Sequence, residues 1–366
     1  MSEIKILIKG SIGNSNLGDD LLVYSIDRLL KNSGIPCKLY YRTKHNYYSY
    51  IPDSHIYQPF RFQRFDVVLF AGGTQFASFG KKALSFNDFI KLLFKNPTAL
   101  LKHFSGKLKR NIESFNVRYK SLVLAGIGIG PFYEDDQYYR DTIALLKSAD
   151  LVIVRDELSV SICNEHGIPH IHGCDLAYTL PLNFKVVKEK KHIQNIAVIV
   201  RDWQFSEEKG SYIDTLLDLT TDCKITYFSF CRAKDEIGLN KIRQHDNSAL
   251  IEIWDPEGDI EAFINKLADY DLVITARYHG AIIASLCRIP FISIGIEPKL
   301  EMVAKLFKMP VWELPYMTDA LEKCIGQIND NYSDYCQRIE DQVNHETAKA
   351  QVMTQTLTMF LKQKHL

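Results

Sequence analysis

Short apolar runs that stop at a glycine or a polar loop alternate with longer amphipathic stretches along most of the chain, and this rhythm limits the fold more than any single motif does. It predicts strands alternating with helices, hence an α/β fold with a parallel sheet covered on both faces. In the first half the strand candidates are Lys5 to Lys9, Lys38 to Tyr41, Val67 to Ala71, Leu122 to Ile127, Leu151 to Arg155 and a short one near Ile171. In the second half they are Ile196 to Arg201, Lys224 to Phe230, Ser248 to Ile253, Leu272 to Thr275 and Phe291 to Ile294. Five or six strands on each side of residue 185 is what two doubly wound, Rossmann-like domains give.

A length of 366 residues fits the same division, being too long for one small core. The expected domains are 1–185, 186–316 and a strand-free tail of helices over 317–366 that packs back across the hinge, with the charged segment FKVVKEKKHIQN as linker. Hydrophobic residues at 46% and charged residues at 24% exclude a disordered or low-complexity chain. Forty-four Lys and Arg balance 44 Asp and Glu, so the molecule as a whole has no attraction for nucleic acid, and any anion site must be local. The eight cysteines form no CxxC pair and no regular framework, which predicts neither a metal site nor disulfides, and a reducing cytoplasm. No run approaches the length of a membrane span, and MSEIKILIKG reads as a first strand rather than a signal segment.

One segment departs from the rhythm. Between Lys81 and Lys120 ten Lys or Arg stand against two acids, with apolar residues at helical spacing. A helical insertion over about 79–120 is expected, either with a solvated basic face or as a peripheral contact with an anionic membrane surface.

Glycine clusters follow three successive strands. GSIGNSNLGDDLL places Gly13, Asn16 and Gly18 in the turn from the first strand into a helix expected to start near Asp19. AGGTQF holds Gly72 and Gly73, and GIGIGPF holds Gly128. Each cluster alone suits a turn, but three at successive strand ends argue for one shared crevice. Asp19 reads as a helix N-cap, and Asp19 with Asp20 equally as a general base for a hydroxyl. VRDELS brings Arg155 beside Asp156, and GCDLAYTL brings Asp175; both read as structural pairs or caps before they read as ligands.

The sharpest constellation is DLVITARYHGAIIASL, which sets Arg277, His279 and Gly280 at the mouth of a helix directly after a strand. Helix N–H groups, the dipole and a guanidinium converge there, so an anion is the expected ligand, with His279 able to donate a proton. Arg201, ending the strand AVIVR, and Lys299, in SIGIEPKLEM, are two further cations for the same crevice.

From Gly10 to about Val303 the chain resembles the polysaccharide pyruvyl transferase family. GSIGNSNLGDD is similar to its N-terminal glycine, asparagine and Gly-Asp-Glu pattern, with Asp20 for the usual Glu. AGGTQF, GIGIGPF and RDELS match its middle blocks in order, and ARYHGAIIASLCRIPFISI matches its Arg-x-His signature. Leu176 stands where Pro is common, and GIEPK replaces a Tyr-Asp-x-Lys ending. The resemblance implies two facing Rossmann-like domains of the GT-B type. It also implies transfer of the enolpyruvyl carbons of phosphoenolpyruvate onto two hydroxyls of one sugar residue, giving a cyclic ketal and phosphate, with no metal or redox cofactor. The roles that fit this reaction are His279 as general acid or phosphate partner, Asp19 or Asp20 as base, and Arg201, Arg277 and Lys299 as anion ligands, supported by Gly13, Asn16, Gly18, Gly72, Gly73, Gly128, Arg155 and Gly280. The acceptor would be a sugar, carried on a lipid-linked oligosaccharide if the basic Lys81 to Lys120 segment meets the inner face of the cell membrane. The aromatic stretch from Tyr40 to Tyr57 reads as packing of a surface loop or as a sugar platform. The alternatives are a glycosyltransferase using a nucleotide sugar and a non-catalytic glycan-assembly protein.

Overall fold

The computed structural model describes residues 3–43, 45–58, 62–77, 117–132, 137–180, 192–204 and 206–365. Among them, twelve strands form two six-stranded parallel sheets. The first sheet contains β1 (Ile4–Lys9), β2 (Cys37–Tyr41), β3 (Gln63–Phe76), β4 (Val117–Ile129), β5 (Leu151–Val154) and β6 (Ile171–His172). Its spatial order is β2-β1-β3-β4-β5-β6. The second contains β7 (Asn195–Val200), β8 (Lys224–Ser229), β9 (Leu250–Ile253), β10 (Leu272–Thr275), β11 (Phe291–Ile294) and β12 (Val311–Trp312), in the order β12-β11-β10-β7-β8-β9. That is the Rossmann order, with β7 at the centre. The helices are α1 (Leu17–Asn32), α2 (Gln137–Lys147), α3 (Glu157–Glu165), α4 (Glu207–Gly210), α5 (Tyr212–Leu217), α6 (Glu236–His245), α7 (Ile260–Leu267), α8 (Tyr278–Leu286), α9 (Pro298–Phe307), α10 (Thr318–Asp330) and α11 (Tyr332–His365).

The strands predicted from the apolar runs are present, because runs such as Ile196–Val200 and Leu272–Thr275 are buried on both faces and only a sheet interior accepts them. Two differ in extent. β3 and β4 run well beyond the expected cores and pair from Gln63 opposite Val117 to Phe76 opposite Ile129. Val117 to Lys120 is therefore strand, not the end of a basic helix, and Lys120 pairs with Asp66 at 2.7 Å. The rest of the 81–120 segment, with the membrane contact expected of it, lies outside the described residues, as does the linker up to residue 191. No described helix is long and apolar enough to cross a membrane, and all eight cysteines are free thiols.

The direction in which successive strands are added reverses beside β1 in the first sheet and beside β7 in the second. Open parallel sheets bind ligands at such switch points, outside the carboxyl ends of the strands. Here both face the boundary between the halves, where Leu17 N donates to Phe230 O at 2.9 Å. The tail forms two helices, as expected, and α11 returns across the hinge. Its Val343, Met353 and Leu357 share one core with Cys174 and Leu176 of the first half and Ile283 of the second. Gly173 makes room for this: a Cβ there would stand 3.2 Å from Met353 Sδ.

Candidate active site

The boundary cleft has a volume of about 150 Å³. Its second-half wall is built where β10 gives way to α8. Thr275 Oγ1 accepts from Arg277 N at 3.0 Å and donates to Arg277 O at 2.9 Å, closing the turn that starts the helix. Arg277 is then fixed at its side chain, where Nε donates to Val200 O at 3.1 Å and the guanidinium pairs with buried Asp235. Asp235 is held in turn by Ser229 Oγ at 2.8 Å and Cys231 N at 3.0 Å. His279, the second residue of α8, stands at the helix start with its first-turn N–H groups and positive dipole end.

Arg201 and Lys299 share one carboxylate. Glu297 Oε1 accepts from Arg201 at 2.5 Å and lies 3.0 Å from Lys299 Nζ, while Glu297 Oε2 is buried without a partner. Burial pushes the Lys299 amine below its ordinary range; Glu297 opposes that shift, and the Arg201 charge adds to it. Lys234, from the loop after β8, also lines the cleft.

The first-half wall comes from the glycine clusters. Asn16, with extended backbone, is the N-cap of α1, so Asp19 is not the cap expected from the sequence; it sits in the first turn and accepts from Asn16 Nδ2 at 2.8 Å. Gly18 packs directly on His279, and a Cβ there would stand 2.8 Å from the ring Cγ. Gly73 and Thr74 line the cleft beside Arg155. That guanidinium is held at every nitrogen: by Thr74 Oγ1 at 2.7 Å, Asp175 at 3.0 Å and Asp156 at 3.3 Å. It stacks 4.4 Å from the centre of the Tyr278 ring. Gly128 gives it room, since a Cβ there would stand 2.9 Å from Arg155 Nε. Asp156 also caps α3 by accepting from Ser159 N, as read from the sequence.

Asp175 crosses the boundary. Its Oδ2 is 3.6 Å from His279 Nε2, beyond hydrogen-bond distance. Burial alone would raise the carboxyl, but the His279 imidazole and Arg155 guanidinium more than offset it and hold it down to about 2. His279 Nε2 is buried with no hydrogen-bond partner of its own.

Asn16, Gly18, Asp19, Gly73, Arg155, Arg201, Arg277, His279 and Lys299 are thus brought together, with Gly128 in the adjoining recess. Four expected residues are not. Asp20 is corrected: it is wholly buried away from the cleft, accepting from Tyr47 at 2.8 Å, Tyr48 at 2.7 Å and Trp254 Nε1 at 2.8 Å. Gly13, at φ +77°, turns the chain beneath the tyrosine loop, with its N–H on Tyr48 OH. Gly72 packs on Leu22 and Leu176. Gly280 is needed because a Cβ would strike Thr275 and Ile199, and its N–H is taken by Arg277 O at 2.9 Å.

Sequence reasoning missed Glu297, Thr74, Tyr278, Lys234 and Asp235. Glu297 and Tyr278 had a signal, standing two residues before Lys299 and between Arg277 and His279; for Asp235 none was visible.

The model of the polysaccharide pyruvyl transferase family matches residues 16–298. No curated protein matches the chain. Among solved structures, a Listeria monocytogenes protein assigned as a UDP-N-acetylglucosamine 2-epimerase superposes with a TM-score of 0.59 at 11% identity, over 99% of this chain and 98% of that one. The S. aureus MnaA–UDP co-structure gives 0.59 at 11%, over 99% and 97%. Anabaena HepE in complex with UDP-glucose gives 0.52 at 13%, over 99% and 100%. The shared fold is the two-domain, Rossmann-like arrangement of GT-B glycosyltransferases and epimerases.

Proposed function

We propose a reaction from one premise: the chain belongs to the polysaccharide pyruvyl transferase family. The donor is phosphoenolpyruvate and the acceptor two neighbouring hydroxyls of one sugar residue, joined as a cyclic pyruvate ketal with release of phosphate. The observation that carries this reading is the cleft itself. Arg155, Arg201, Lys234, Arg277 and Lys299 line it against a single carboxylate, Asp19, in about 150 Å³. Small-molecule sites usually span about 300 to 1,000 Å³, so the cleft suits a three-carbon phosphate carboxylate better than a whole nucleotide sugar. Two anionic groups on three carbons need several fixed cations and backbone donors, and no base pocket.

In the proposed path His279 gives a proton to the methylene carbon, which becomes the methyl group, and Asp175 holds the imidazole in place from behind. The adjacent carbon turns electrophilic and is attacked by the first sugar hydroxyl, whose proton passes to Asp19. The carbon–oxygen bond to phosphate breaks as Asp19 passes that proton to the leaving oxygen, so hydrogen phosphate departs as a dianion stabilised by the cations. The second hydroxyl closes the ring and returns a proton to the site. Atoms and electrons balance without an oxidant or reductant, so no redox cofactor enters the scheme.

The test is calorimetry and thermal shift with phosphoenolpyruvate and with a panel of nucleotide sugars, on wild type and Lys299→Met. Ligand at 100 times its dissociation constant stabilises by about 2.7 kcal/mol, a visible shift. Stabilisation by phosphoenolpyruvate, weakened in the variant, is expected. Stabilisation by a nucleotide sugar alone would overturn the donor, and no response to either would point to a non-catalytic protein.

A further inference from the structure

A second cavity, of about 330 Å³, lies on the same boundary and shares no lining residue with the anion cleft. Tyr24 and Arg28 of α1 form one wall together with Tyr47 and Tyr50, and the loop carrying Glu257 together with Glu261 of α7, from the other half, forms the opposite wall. We propose that this cavity is a carbohydrate subsite that holds a neutral sugar unit of the acceptor glycan beside the unit being modified. The inference rests on the pyruvyl-transfer reading above.

Three properties of the cavity select that ligand. The first is its aromatic wall. The Tyr24 and Tyr50 rings meet edge-on at 5.5 Å, Tyr48 and Tyr50 stand 5.6 Å apart, and Tyr47 and Tyr48 only 4.4 Å. Such rings offer the apolar C–H faces of a pyranose a rigid bed at little entropic cost. The wall is held from behind, since Tyr47 and Tyr48 both donate to buried Asp20. Its own hydrogen bonds do not complete it, because the Tyr50 hydroxyl is buried without a partner.

The second property is charge. Three carboxylates, Glu257, Asp259 and Glu261, line the cavity against one guanidinium, Arg28. Carboxylates only accept hydrogen bonds, which suits hydroxyl donors. The same excess repels phosphate and uronate groups, so the two cavities sort their ligands by sign: anions to the cleft, neutral polyols here. Tyr24 OH donates to Glu261 Oε1 at 2.6 Å, which fixes one carboxylate against the aromatic wall and leaves Glu257 exposed at the mouth.

The third is placement. Asp19 lines the cleft and Tyr24 the second cavity, five residues on along α1. At 1.5 Å per residue that is about 7.5 Å along the helix axis, the scale of adjacent units on one glycan chain.

The experiment is binding of the full chain to an array of neutral oligosaccharides (hexose and N-acetylhexosamine) and anionic ones (sialylated and uronate-containing), in saturating inorganic phosphate. Tyr50→Ala and Glu257→Arg run alongside, with phosphoenolpyruvate affinity measured separately on each. Neutral glycans should be retained, phosphate should not displace them, and each variant should weaken retention at least tenfold with phosphoenolpyruvate affinity unchanged. Glu257 is exposed, so its variant stays informative if Tyr50→Ala fails to fold. Retention of no neutral glycan, displacement by phosphate, or undiminished binding by Glu257→Arg would overturn the subsite. Retention without phosphoenolpyruvate binding would keep the subsite and overturn the proposed donor; the reverse pattern would keep the donor and overturn the subsite.

Discussion

Asp20 gives the protein a pH-dependent stability whose sign can be worked from its surroundings. It is fully buried at the boundary between the halves, and burial pushes its carboxyl from the ordinary 3.8 up to about 6, against hydrogen bonds from Tyr48, Trp254 and Tyr47 that pull it down. A carboxyl with a raised folded-state pKa prefers its neutral form in the fold. Its contribution is complete below about pH 4, where folded and unfolded chains are both protonated, and is lost as pH rises through 6, where only the folded chain must give up a proton that it holds more tightly. A difference of roughly two units amounts to about 3 kcal/mol at neutral pH. Asp20→Asn removes the titration and keeps the contacts, because the amide oxygen can accept from Trp254 while its NH2 faces the two tyrosine hydroxyls. Thermal or urea unfolding of both proteins from pH 3.5 to 7.5 isolates the effect, as every other titrating group cancels in the difference. Relative to the variant, wild type should lose about 4 °C across that range if the chain melts as one unit, and about 8 °C if one half melts alone. A wild-type-minus-variant difference that stays flat, or that grows in favour of wild type with rising pH, would refute the reasoning.

His279→Ala should lower turnover by about 10²- to 10⁴-fold, the usual worth of a positioned proton donor, while phosphoenolpyruvate still binds; near-normal turnover removes the acid role. Gly18→Ala tests the packing of the two halves: its Cβ meets the His279 ring, so overpacking of about 1–3 kcal/mol should displace the imidazole and cut kcat, and a stable variant with wild-type kcat would show that the ring position is unimportant.

Much of the fold was legible because strands here are local events. An apolar run such as IAVIV or FISI is buried on both faces wherever it pairs, so its own residues announce it. β12 escaped notice because two residues, Val311 and Trp312, carry no periodicity. The ends of β3 and β4 escaped because Gln63 to Asp66 and Val117 to Lys120 are half polar and pair chiefly with each other. The cations of the site were legible for a similar reason, since Arg201 and Arg277 follow the strands at the switch point. Asp19 and Asp20 show the limit. Neighbours on a helix point about 100° apart, so one faces the cleft and the other the core, and only the packing of α1 decides which. The partnerships of Asp175 with His279 and of Arg277 with Asp235 join residues far apart in the chain, where spacing carries no signal.

Those partnerships also explain how so many cations can share one cleft. Five cations in about 150 Å³ would repel one another strongly if they stood alone. Each of the four best-buried ones is instead backed by a carboxylate: Arg277 by Asp235, Arg201 and Lys299 by Glu297, and Arg155 by Asp156 and Asp175. The carboxylates offset the positive charge and fix the cations in place, Arg155 most completely, since all three of its nitrogens are engaged. Removing a cation should therefore weaken donor binding and strand a buried carboxylate, whereas removing the carboxylate should destabilise the fold through unpaired buried charge while leaving the cleft more positive. The positive lining of the cleft and its rigidity thus come from different residues, the cations and the carboxylates that hold them, within a frame shared with solved structures at 11–13% identity.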